Sequence, residues 1–162
     1  MSEPHLRNEI VRYVAAGLRA AGCQVLEGRV HAARESYPVH RVLAGPETRP
    51  EGRPEKLEPG IWDRAMVLCV DIITGATDRN LPHEEVNNLL MPAEAFFSQN
   101  PSLGGLVESV RFYALDTDGE DKRQNVHVIR LRLEVLYQTD YRIPETFPTL
   151  LTPKVESEVT DA

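Results

Sequence analysis

The chain is short of three things: positive charge, cysteine and long apolar runs. Each shortage excludes a class of protein. Lys and Arg number 18 against 25 Asp and Glu, a net charge of −7. Gripping nucleic acid rests on basic side chains that displace counterions from phosphate, and no basic stripe is present. The two cysteines, Cys23 and Cys69, fit neither a CxxC motif nor a Cys/His ligand spacing. Both read as buried small hydrophobes, Cys69 because it lies inside an apolar run. No apolar run reaches the roughly 18 residues of a membrane span, and Met1 to Arg12 mixes charge with apolar residues, unlike a signal peptide. The reading is a chain that folds in a cytoplasm and needs no metal or cofactor to hold its core.

Catalytic signatures are also missing. There is no GxSxG and no HExxH. His5, His31, His40, His83 and His127 are scattered, and none has a second His at a ligating offset. Gly104 and Gly105 precede apolar residues rather than the Lys and Ser/Thr of a phosphate loop. Asp116, Thr117, Asp118, Gly119, Glu120 and Asp121 resemble the start of a calcium loop, but His127 stands where a Glu is needed. A polar hairpin turn is the better reading. No catalytic, cofactor-binding or metal-binding residue is therefore named.

What is present is a clear alternation of periods. Residues 4–21 carry Leu6, Ile10, Val14 and Leu18 at helical spacing, with Ser2 as a capping residue, Pro4 in the first turn and Gly22 as the stop. Gln24 to Arg29 and Tyr37 to Ala44 read as strands, with Pro38 placing the second at an edge or at its opening turn. Residues 62–73 (WDRAMVLCVDII) are apolar on both faces, as a central strand covered on both sides would be. Residues 83–98 form a second helix with Val86, Leu89, Leu90, Ala93, Phe96 and Phe97 as its apolar stripe; Pro92 should kink it or split it. Residues 107–115 and 125–137 form a hairpin, turning from Asp118-Gly119. In its second strand Ile129, Leu131, Leu133 and Val135 alternate with Arg130, Arg132 and Glu134. That charged face is either solvated or a subunit contact.

Two segments break the pattern. Residues 45–60 (GPETRPEGRPEKLEPG) bury almost nothing and read as a mobile loop, or as an arm ordered by a partner through Arg49, Arg53 and Lys56. Residues 142–162 hold Pro144, Pro148 and Pro153, end in acids and read as a mobile tail. The expected fold is a single α+β domain over 1–141: a mixed, mostly antiparallel sheet with two helices packed on one face.

In order and length, these segments resemble the tail terminator proteins of long-tailed bacteriophages, the minor tail protein U or tail completion family. The segments are LRNEIVRYVAAGLRAAG, QVLEGRV, YPVHRVL, a polar insertion, WDRAMVLCVDIIT, HEEVNNLLMPAEAFF and VIRLRLEVLYQTDY, spanning about residues 5–141. The resemblance implies a structural virion protein, not an enzyme, assembled in the host cytoplasm. It implies a hexameric ring that caps the tail tube and stops its polymerisation. The other side of the ring would receive the head–tail connector or another neck protein, and DNA would pass through the lumen unbound. The insertion at 45–60 and the tail are longer than such a core requires. Another neck, tail-tube or baseplate protein is the alternative on the same kind of sheet. A small enzyme or ligand-binding module is the third reading, and it would need convergent polar groups in a pocket.

Overall fold

Helix α1 (Leu6–Ala20) opens the chain, and its sequence explains both ends. The side chain of His5 caps it: Nδ1 accepts the Arg7 N–H at 3.0 Å. At the other end Gly22, at φ 94°, lets its own N–H reach Arg19 and the Cys23 N–H reach Leu18. These two bonds satisfy carbonyls that the helix would otherwise leave open. The computed structural model describes residues 5–28, 37–52, 59–75, 82–121 and 126–140. Ser2, Pro4, His31, Arg53, Lys56 and the tail after 141 lie outside the described residues.

The remaining elements are β1 (Val25–Glu27), β2 (Val39–Thr48), β3 (Ile61–Gly75), α2 (His83–Gln99), a 3-10 turn at Leu103–Gly105, β4 (Ser109–Asp121) and β5 (Val126–Asp140). The sheet order is β1-β2-β3-β5-β4. Only β1 and β2 run parallel; the other three pairings are antiparallel. The fold is α+β, with a mixed, mostly antiparallel five-stranded sheet.

Both helices pack on one face of that sheet. Val42, Val70 and Leu131 align across β2, β3 and β5, as do Leu68 and Leu133 beside them. Ile10, Val14 and Leu18 of α1 and Val86, Leu90, Ala93 and Phe97 of α2 close over these rows. The helices meet tightly because residue 17 is glycine: a Cβ there would lie 1.9 Å from the Phe96 ring. Pro92 does not split α2, which runs unbroken through it. The proline removes one N–H, leaving the Asn88 carbonyl without its helical partner, and residue 88 lies on the exposed side where water can serve it.

Two boundaries differ from the sequence reading. Strand β2 continues through residues 45–48, which read as loop. It does so by bulging between Ala44 and Glu47, where Gly45 passes so close to the Val67 carbonyl that a Cβ would sit 2.7 Å away. Glu47 then joins a polar clamp on the helix face. Arg64 donates to it at 2.7 Å, Tyr137 donates its hydroxyl, and Arg7 lies at 3.6 Å while also donating to the Gly45 carbonyl. Burial alone would raise the Glu47 pKa, but the hydrogen bonds from Tyr137 and Arg64 outweigh it and the net shift is downward. Second, Asp118-Gly119 is not the hairpin turn. Gly119 pairs with Val128 inside β4, and the two residues sit in a bulge where the Asp118 N–H bonds to Asp116 Oδ1 at 2.9 Å. The strand carries on to Asp121. Pro38, joined to Tyr37 by a cis peptide bond, stands at the entry of β2, the second of its two expected positions, and the strand it opens is interior.

Candidate assembly surface

The face of the sheet opposite the helices is built by the same strands, one residue out of phase. At one end Val39, Ile73, Val126 and Val128 form a small second core. The next row reads Arg41, Asp71, Arg130 and Asp116 across β2, β3, β5 and β4, with charge alternating in sign. Asp71 is 0% exposed. It accepts from Arg130 Nε at 2.7 Å and Nη2 at 2.8 Å, and from Arg41 Nη2 at 2.9 Å. The hydrogen bonds to Asp71 raise the pKa of Arg130 despite its partial burial.

One row further on stand Leu43, Cys69, Arg132 and Ala114. Arg132 is half-buried and forms no ion pair among the described residues. Glu134, beyond it, receives Arg111 Nη2 at 3.0 Å. The three charged residues of β5 thus have different roles. Arg130 is committed to a buried acid, Glu134 is paired on the surface, and Arg132 remains open. A cavity of about 290 Å³ lies here, lined by Leu43, Val67, Cys69, Tyr113, Arg130 and Arg132.

The β4 flank is the least covered part of the sheet. Val110 packs against the core under the helices, but beyond it the strand exposes Phe112 (68%), Tyr113 (56%) and Leu115 (41%). It is also a 13-residue edge strand, whereas β1 at the other edge has three residues. Its apolar stretch, Phe112 to Leu115, lies on an edge that no other described strand pairs, a surface that another chain could cover. Of the other candidate contacts, Arg49 is exposed in the turn after β2.

Sequence reasoning missed Asp71 and the weight of β4. Asp71 had a signal: a lone acid on one face of an otherwise apolar central strand requires a cation beside it. The exposure of β4 had none, because its alternation looks like that of any half-covered strand.

An open groove of about 800 Å³ lies between α1 and α2, lined by residues such as Tyr13, Gly17, Met91, Pro92, Phe96 and Asn100. Its lining contains no carboxylate, imidazole or thiol. Among the described residues no three His, Cys, Asp or Glu side chains converge, and no helix is long and apolar enough to cross a membrane. Compared with protein-family models and with curated proteins, the chain matches neither a family nor a relative.

Proposed function

We propose that the chain is a structural virion subunit that closes into a ring, a tail terminator in the manner its segment order resembles. The observation that carries this reading is the uncovered flank of the sheet. Strand β4 presents Phe112, Tyr113 and Leu115 to solvent along an edge that no other described strand pairs. A subunit that worked alone would gain nothing from such an edge and would risk aggregation. A subunit made for assembly needs one.

In this reading the ring is a hexamer that docks on the last ring of tail-tube protein and ends its growth. Its other side receives the head–tail connector or a neighbouring neck protein. The net charge of −7 suits a lumen through which DNA slides without sticking. The residues beyond the end of β2, 49–60, with Arg49, Arg53 and Lys56 as their basic side chains, are the arm offered to a partner.

Solution mass across protein concentration and Mg²⁺, with negative-stain images of the largest species, tests the proposal. Closed rings of fixed size are the expected result. Open tubes of variable length would move the chain to the tail-tube class. Replacing Phe112 and Leu115 by Ser should dissolve the assembly while leaving the monomer folded, because both side chains are exposed.

A further inference from the structure

The ring reading uses the β4 flank and leaves open what the helix-free face meets, and the structure holds a matched pair for that second contact. We propose that the outward ridge of α2 on one subunit docks on the helix-free face of the next, with Met91 entering the cavity floored by Leu43, Val67 and Cys69 and with Glu94 paired to Arg132. The proposal rests on the ring reading and assigns that second contact.

Three observations carry it. The first is unpaired charge on both sides. On the helix-free face Arg41 and Arg130 share Asp71, and Arg111 holds Glu134. Arg132 stands between Cys69 and Ala114 with no ion pair among the described residues. Helix α2 contains Glu84, Glu85 and Glu94 and no Lys or Arg. None of these three acids forms an ion pair among the described residues. Glu84 and Glu85 lie in the first turn, where the helix dipole favours them. Glu94 lies past the middle of the helix and gains nothing from the dipole.

The second is shape. Glu84, Asn88, Met91, Glu94 and Ser98 recur at spacings of three and four, and all are exposed, so they form one ridge along the outside of α2. Met91, at its centre, is 61% exposed. It is a flexible apolar knob, and the cavity opposite offers an aliphatic floor with Tyr113 at its rim, a favourable partner for a thioether.

The third is position. The ridge and the cavity lie on opposite faces of the same subunit, so the ridge cannot reach its own cavity. Contact between them is between two copies and uses different patches on each. Such a heterologous contact repeats around a ring when the rotation closes.

Charge exchange tests the pairing. Arg132→Glu and Glu94→Arg should each raise the concentration needed for assembly by about tenfold or more, since like charges then face each other. The double variant should restore assembly toward that of the original chain. Met91→Ser should weaken assembly as well, and the melting temperature of each monomer should stay unchanged. Rings that form normally in both single charge variants would overturn the pairing and leave the ring reading standing, with the cavity free for a tail or neck protein. Loss in both single variants without recovery in the double would also overturn it. A chain that never assembles would overturn the ring reading, and the pairing with it.

Discussion

The two faces of the sheet are built from alternate residues of the same strands, yet they are completed differently. The helix face is aliphatic along the rows through Val42, Val70 and Leu131, and α1 and α2 seal it. The helix-free face carries Arg41, Asp71 and Arg130 in one row and Arg132 in the next. The first face is closed by its own chain except along β4, where Phe112 and Leu115 extend its rows into solvent. The second holds one buried acid for two arginines, together with a third arginine that meets no acid among the described residues. The difference separates residues that make the fold from residues available to a partner, and sequence alternation alone does not draw that line.

Removing the acid is the strongest way to break this comparison. Asp71→Ala leaves Arg41 and Arg130 without their shared partner. It should cost about 3 kcal/mol in urea unfolding, the low end for breaking a buried pair because Arg130 keeps part of its side chain in water. The same reasoning sets Arg130 apart from Arg132: reversing charge at Arg130 should damage the fold itself. On the helix face Gly17→Ala drives a methyl into the Phe96 ring, which is held edge-on against Phe97. The expected cost is about 2 kcal/mol by thermal or urea melting.

Acid should loosen the helix face in two stages. His40 is buried among β2, β3 and α2, and burial lowers its pKa against the opposing effect of a hydrogen bond to the Leu89 backbone. The unfolded chain therefore binds that proton first. The contribution of His40 is complete above about pH 6.5 and is lost as pH falls through the lower folded value. The folded pKa of Glu47 is also depressed, so its share is complete above about pH 4.3 and is lost below it. Urea midpoints from pH 3 to 8 should show both steps. His40→Leu should remove the upper step, and Glu47→Gln the lower. The smallest effect belongs to Arg132→Ala, which should change monomer stability by less than about 0.5 kcal/mol, as for an unpaired surface residue. A larger fall would show that Arg132 serves the fold.

Most of the scaffold was legible because hydrophobic period is a local signal. Ile10, Val14 and Leu18 announce α1, and the long apolar run of 62–73 announces the central strand. The bulges were not legible. Gly45 and Pro46 read as the start of a loop because a glycine and a proline usually break a strand, whereas here the bulge carries β2 on to Glu47 and its clamp. Asp118-Gly119 read as a turn for the same reason. The charged face of β5 was visible as a face. The division of labour among Arg130, Arg132 and Glu134 depended on Asp71 and Arg111, which come from other strands and are brought near only by register.

The central claim is that this chain assembles through its uncovered sheet surface into a closed ring. Native mass measurement across concentration, on the original chain beside the Phe112→Ser, Leu115→Ser variant, tests it most directly. The account predicts one discrete assembly, a hexamer, for the original chain and a folded monomer for the variant. A monomer at every concentration from the original chain, or the same assembly from both, would contradict it.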